Sequence, residues 1–219
     1  MLKRTLLIGE YDTASHGWTL AGWKLSDPEQ KTNYIEKTGG DGSWDLSTAQ
    51  TDGIPRYKVR SFSATLECSE GTRADREKLI SEMVNKLDGF EWSIVLPDHP
   101  DHYITGRLHV AEDFNNLAHA KVNLSATVAP WLYKKTETIY TFDLHEAEQT
   151  AALTNSGRLA MVPQIGVTGE ALLEYGTASI ALSEGVFEWP DLLLTPGEHA
   201  VKYSGEGKLT FTFREAVLR

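Results

Sequence analysis

Residues 120–128 read Ala-Lys-Val-Asn-Leu-Ser-Ala-Thr-Val. Apolar and polar side chains alternate through the whole segment, and successive side chains of a strand point to opposite faces of a sheet. The segment therefore predicts a strand with one buried face. Residues 61–68 and 92–96 alternate in the same way, so we expect several strands of one antiparallel sheet.

A helix is predicted between the last two of these segments, at about residues 73–88. Thr72 and Asp75 have the spacing of a capping box, in which each side chain bonds the other residue's backbone N–H. Gly89 is a typical helix stop. Apolar residues recur at helical spacing between these two signals, at Leu79, Ile80, Met83, Val84 and Leu87. The following Asp-His-Pro-Asp, residues 98–101, predicts a turn into a further strand at residues 103–110.

The length of 219 residues fits one large domain or two small ones. The single cysteine, Cys68, excludes an internal disulfide and continues the apolar alternation of its strand, so we assign it to the core. A net charge of −10 argues against binding nucleic acid through its phosphates. No apolar run is long enough to cross a membrane, and the apolar start at residues 1–9 is too short for a signal peptide. We expect the protein to be made and kept inside a cell until something releases it.

Two further segments indicate an extended arm and a domain boundary. Residues 27–53 are polar and rich in Gly, Asp, Ser and Thr, which indicates a long excursion or an extended arm for a partner. Residues 143–152 are small and polar and predict a domain boundary. We therefore expect domains at 1–142 and 143–219. The second has short apolar runs separated by Gly and Pro, which predict the strands of a small all-β sandwich. These runs are residues 159–162, 171–175, 178–182, 186–189, 192–194 and 209–213.

Asp98, His99, Asp101 and His102 are the densest group of metal-ligand side chains. A metal site needs ligands that converge from fixed positions, usually on more than one element. Four such residues around one proline fit a solvated turn better, so we predict no metal.

No catalytic motif is present. The sequence has no nucleophile elbow, no His-Glu-x-x-His, no Walker A loop and no Gly-x-Gly-x-x-Gly. We therefore predict no catalytic residue and no cofactor, which leaves an unrecognised hydrolase as a remote alternative.

Four aromatic side chains of the second domain have two interpretations. Tyr175, Phe187, Trp189 and Tyr203 would either form a surface that stacks on sugars or pack in the core, which is the usual place of aromatic residues in a small sandwich. Among them, Trp189 and Tyr203 are the candidate carbohydrate or partner contacts.

In order and spacing, the chain resembles the phage distal tail protein family. Residues 39–47, Gly-Gly-Asp-Gly-Ser-Trp-Asp-Leu-Ser, are similar to a family signature that usually begins with proline. Residues 57–66 are similar to its next strand, and residues 122–133 to its closing strand. The segments 155–157, 163–165, 193–197 and 207–214 resemble its C-terminal galectin-like sandwich.

The resemblance implies a mainly β protein: an N-terminal β-sandwich with one packed helix, then a small galectin-like sandwich. It implies a structural role without enzymatic activity, in a ring, expected to be hexameric, at the tail tip of a phage or prophage. The partners implied are the tail tube, the tape measure and other tail-tip proteins, with DNA passing through the ring but not bound specifically. The alternative is a carbohydrate-binding adhesion protein that acts through the second sandwich.

Overall fold

The computed structural model describes residues 5–51 and 53–219, so the beginning of the segment 1–9, which is too short for a signal peptide, lies outside the described residues. The chain divides into two compact units between Pro130 and Trp131. Both units consist of antiparallel strands, and the helix belongs to the first.

Nine strands and the helix form the described part of the N-terminal unit. They are β1 (Leu7–Ile8), β2 (Tyr11–Asp12), β3 (Thr19–Leu25), β4 (Tyr34–Glu36), β5 (Ser43–Asp45), β6 (Arg60–Cys68), α1 (Arg73–Leu87), β7 (Glu91–Val95), β8 (His102–Asn115) and β9 (Ala120–Val128). Seven strands pair in the order β2-β1-β7-β8-β9-β6-β3, while β4 and β5 form a separate hairpin.

Strands β6 and β9 are neighbours inside this sheet. Their register places Ala64 opposite Leu124 and Leu66 opposite Val122, and all four side chains are buried. The intervening side chains are polar and face outward, so the period-two pattern decides which face of the sheet is covered. The strand predicted from residues 120–128 is confirmed.

The predicted capping box and helix are also confirmed. The Thr72 hydroxyl accepts from the Asp75 N–H at 3.2 Å, and the Asp75 carboxylate accepts from the Thr72 N–H at 2.9 Å. Ile80, Met83 and Leu87 are buried on the helix face that packs against β8 and β9. The helix ends at Leu87, where the chain turns back towards the sheet.

The C-terminal unit contains eight strands. They are β10 (Leu132–Lys134), β11 (Thr138–Leu144), β12 (Gln149–Asn155), β13 (Gln164–Tyr175), β14 (Ala178–Leu182), β15 (Gly185–Glu188), β16 (Gly197–Phe213) and β17 (Ala216–Val217). The long strand β16 pairs with β13 along one side, and with β11 and β12 along the other. Strands β14 and β15 extend the sheet beyond β13, and β10 pairs with β17.

The division between the units differs from the boundary expected at residues 143–152. That segment contains the end of β11 and the start of β12. Leu144 and Ala151 are buried, while most of the residues between them are exposed. The segment is polar because it is the exposed connection between β11 and β12, which pair one after the other with β16, and it belongs to the C-terminal unit.

The apolar runs at 159–162 and 192–194 do not form strands. They meet in a single bridge between Met161 and Leu194, and both of these segments contribute side chains to the core region. Buried apolar residues can lie in irregular segments, so an apolar run alone does not identify a strand.

The fold class predicted from the sequence is confirmed: the protein is mainly β, with several sheets and one packed helix, consistent with a β-sandwich fold. Within the part of the chain described here, no helix has the length and apolar character needed to span a bilayer.

Candidate functional site

An arm leaves the end of β3 and returns to the start of β6; it comprises residues 26–61, without Asp52. Its root is hydrogen-bonded. The Ser26 N–H donates to the Ser61 carbonyl at 2.9 Å, and the Ser61 N–H donates to the Ser26 hydroxyl at 3.0 Å. Farther out, the Lys31 N–H donates to the Arg56 carbonyl at 2.8 Å. The arm is therefore an ordered extension of the sheet edge.

Arg60 fixes the root of the arm to the end of the N-terminal unit. Its guanidinium is mostly buried, and Nε donates to the Ser26 carbonyl at 2.6 Å. The same guanidinium donates to the Pro130 carbonyl at 3.4 Å. A buried arginine that bonds peptide carbonyls holds segments distant in sequence together, because its planar fork presents several donors in fixed directions.

One face of the β4–β5 hairpin is apolar and uncovered. Ile35 lies directly opposite Trp44, and their exposed fractions are 51% and 58%. Leu46 follows Trp44 on the same face by the period-two rule and is also exposed. The Lys37 ammonium lies 5.5 Å from the centre of the Trp44 ring. We call Ile35, Trp44 and Leu46 the apolar arm face.

The opposite face of the hairpin is polar and equally exposed. Tyr34 lies opposite Asp45, and Glu36 lies opposite Ser43. The Asp45 carboxylate is hydrogen-bonded by Ser47, which lowers the pKa of Asp45 below its ordinary value. A two-stranded hairpin with both faces in solvent has little stability of its own. Both faces of the hairpin are therefore available to another surface.

The segment that resembles the distal tail signature, residues 39–47, forms the tip and second strand of this hairpin. Gly39 and Gly42 have φ values of +77° and +80°. These are left-handed conformations that favour glycine, so the glycines shape the tip and leave Trp44 on the strand that follows.

The metal-ligand candidates form a turn. The His99 N–H donates to the Leu96 carbonyl and the His102 N–H donates to the His99 carbonyl, both at 3.1 Å. Within residues 5–51 and 53–219, no three His, Cys, Asp or Glu side chains come together in a way that could hold a metal ion. The prediction that no metal binds here stays a prediction.

The candidate sugar contacts Trp189 and Tyr203 need correction, because both are buried. Trp189 is 4% exposed and its indole N–H donates to Asp191 at 3.0 Å; Tyr203 is 6% exposed and its ring lies 5.4 Å from that of Phe142. Neither presents a ring face to a ligand. Their hydrophobic area holds the C-terminal core together.

The other two aromatic residues of that group also belong to the core region. Phe187 packs against the core, and the Tyr175 hydroxyl bonds the His199 ring at 2.7 Å. The apolar arm face was not predicted from the sequence, although Ile35 and Trp44 are isolated apolar residues in an otherwise polar stretch.

Neither a protein-family model nor a curated protein matches the sequence. Among solved structures, the chain is similar to the crystal structure of the SPP1 Dit (gp 19.1) protein, which is described as a paradigm of the hub adsorption apparatus in phages that infect Gram-positive bacteria. The TM-score is 0.70 at 15% sequence identity, covering 96% of this chain and 98% of that one. The chain therefore has the fold of this phage hub protein over almost its full length.

Proposed function

We propose that the protein is a structural subunit of a phage or prophage tail tip. In this role it forms a ring, expected to be hexameric, which connects the tail tube to the baseplate and lets DNA pass. The observation that carries the proposal is the fold similarity to a phage hub protein along both units of the chain. The order of the sequence segments that resemble the distal tail family supports it independently.

The arm supplies the interface in this proposal. In a ring each subunit offers one surface to the copy before it and a different surface to the copy after it. Within residues 5–51 and 53–219, the apolar arm face remains largely exposed, and it lies in the segment between β3 and β6. Burying Ile35, Trp44 and Leu46 against the next copy would gain hydrophobic free energy, which a lone hairpin lacks.

The proposed partners beyond the ring are the tail tube, the tape measure and other tail-tip proteins. The protein would be made in the host cytoplasm and end in the virion. A net charge of −10 on each chain would give the ring a repulsive field for DNA phosphates, which suits passage without specific binding. The C-terminal unit would form the galectin-like part outside the ring, as a docking or spacing module.

The test is the assembly state of the full chain. We expect negative-stain images and light scattering at high concentration to show closed rings. Replacing both Ile35 and Trp44 by alanine should leave monomers that keep the same circular dichroism. The matched control is Ile139→Ala, which removes an equally exposed apolar side chain from the C-terminal unit and should leave the rings intact.

Two outcomes would contradict the proposal. A strictly monomeric chain that also fails to bind a tail-tube subunit would exclude the ring function. Rings that persist in the Ile35→Ala, Trp44→Ala double variant would show that the arm is not the interface.

A further inference from the structure

The outward face of the N-terminal sheet contains an open cleft of about 600 Å³ beside the end of α1, lined by both polar and apolar atoms. Its polar lining comes from β6, β8, β9 and the residue after the helix: Ser61, Asp88, Arg107, His109, Ser125 and Thr127. The β8–β9 register places His109 opposite Ser125 and Arg107 opposite Thr127. Four parts of the fold therefore bring donors and acceptors to one place.

The charged groups of the cleft are held in position. Asp88 Oδ1 accepts from the Val110 N–H at 2.8 Å and lies 2.8 Å from His109 Nδ1. The Arg107 guanidinium donates to the Gly89 carbonyl. These contacts orient the carboxylate, the imidazole and the guanidinium before any ligand arrives, which lowers the entropy cost of binding.

Several polar atoms of the cleft have no protein partner. Among the described residues, the hydroxyls of Ser125 and Thr127 make no hydrogen bond, and neither does His109 Nε2. In the neutral tautomer that carries its proton on Nδ1, facing Asp88, Nε2 is an acceptor; the guanidinium is a donor and the hydroxyls are both. The cleft thus offers both donors and acceptors.

The charge of the cleft favours a neutral ligand. One carboxylate, Asp88, offsets one guanidinium, Arg107, and Glu91 lies opposite Arg107 in the β7–β8 register. A phosphate or a carboxylate would be repelled by the negative charge of Asp88, and a carboxylate offers acceptors only. A hydroxyl both donates and accepts, so adjacent hydroxyls on a ring can satisfy the carboxylate, the imidazole and the guanidinium together.

We propose that this cleft binds a sugar ring through its vicinal hydroxyls. The lining contains no exposed aromatic ring for stacking, so we expect a dissociation constant on the order of 1 mM for a monosaccharide. Carbohydrate recognition would then lie on the N-terminal unit, away from the buried aromatic residues of the C-terminal unit. The site does not depend on ring formation.

The test is an NMR titration of the full ¹⁵N-labelled chain with methyl glycosides of glucose, galactose, mannose and N-acetylglucosamine. At least one should give saturable shifts of the amides at residues 107–110 and 125–127. Arg107→Gln and the Ser125→Ala, Thr127→Val double variant should each weaken binding about tenfold or more, the loss expected when a hydrogen-bonding partner is removed. Thr65→Ala, on the same sheet face outside the cleft, should bind normally.

Three results would overturn the proposal: no saturable shift with any of the four sugars, sugar binding that survives in both cleft variants, or shifts of these amides with inorganic phosphate but with no sugar. The titration uses the Ile35→Ala, Trp44→Ala variant of the full chain, which is expected to be monomeric and whose two substitutions lie outside the cleft. The result is therefore separate from the outcome of the ring experiment.

Discussion

Two hairpins of the N-terminal unit, β8–β9 and β4–β5, show opposite ways of being ordered. The β8–β9 hairpin buries most of one face, and the helix packs against both of its strands. Its loop is closed by the Asn116 side chain, which accepts from the N–H groups of Ala118 and His119. The β4–β5 hairpin has backbone pairing and a shaped tip, but both of its faces are exposed. The β8–β9 hairpin is part of the folded core of the N-terminal unit, while the β4–β5 hairpin is attached to that core through the root of the arm.

The two hairpins should differ most in how much the free energy of unfolding falls when an apolar side chain is removed from each. Leu124 in β9 is 1% exposed, so Leu124→Ala should lower the free energy of unfolding by about 3 kcal/mol through lost burial and a cavity. Trp44→Ala in the arm should change it by no more than about 0.5 kcal/mol, although tryptophan is the larger side chain. Urea unfolding of monomeric protein measures both. A large loss in the Trp44 variant would mean that the arm is part of the core fold.

A smaller loss of unfolding free energy is expected when Arg76, which contacts the loop of the β8–β9 hairpin, is replaced. Arg76 is 1% exposed, and its guanidinium donates to the carbonyls of Gly71 at 2.8 Å and Asn116 at 2.6 Å. Arg76→Met keeps the aliphatic packing but leaves these carbonyls without a donor. We expect a loss of about 2 kcal/mol and faster hydrogen exchange in residues 116–119.

The control for that variant is Arg73→Met, which changes an exposed arginine three residues earlier on the same helix. It should have almost no effect on unfolding or on exchange in the loop. Equal losses in the two variants would mean that helix propensity or net charge, rather than the buried hydrogen bonds, causes the change.

The sequence predicted best those elements whose stability comes from a regular pattern. In β9 every second side chain is buried, and the helix carries its own capping residues, so local residues were sufficient to find both. Strand β16 was found only at its end, residues 209–213, although it begins at Gly197. The missing part contains Gly205 and Gly207, which normally predict a break.

These glycines are explained by a contact between strands distant in sequence. A Cβ atom on Gly207 would lie 1.8 Å from the Thr168 carbonyl oxygen, and one on Gly205 would lie 2.0 Å from that of Glu170. The close approach of β13 and β16 therefore requires glycine inside a strand. Similarly, the burial of Trp189 and the exposure of Trp44 depend on which surfaces meet in three dimensions. The residues around each tryptophan in the sequence do not determine whether it is buried or exposed.

The smallest effect that separates the two hairpins is their response to acid. Asp88, beside β8, and Asp45, in the arm, both have a pKa below the ordinary value because of hydrogen bonds, mainly from the Val110 N–H in the first case and from Ser47 in the second. Val110 is 22 positions from Asp88, so that bond exists only in the folded protein. Ser47 is two positions from Asp45, and such a local turn can persist in the unfolded chain.

When folding lowers the pKa of a carboxyl group, ionisation of that group stabilises the folded protein. The full stabilisation is present above the unfolded pKa, about 3.9 for aspartate, and it disappears as the pH falls through the folded pKa. The unfolding free energies of the parent protein and Asp88→Asn should therefore differ at pH 7 and converge as the pH falls below about 4. The parent and Asp45→Asn should give the same curve over the whole range. Denaturant unfolding at a series of pH values measures this. A convergence of equal size for Asp45→Asn would mean that the turn at Ser47 forms only on folding, and that the arm is coupled to the sheet more tightly than its exposed faces indicate.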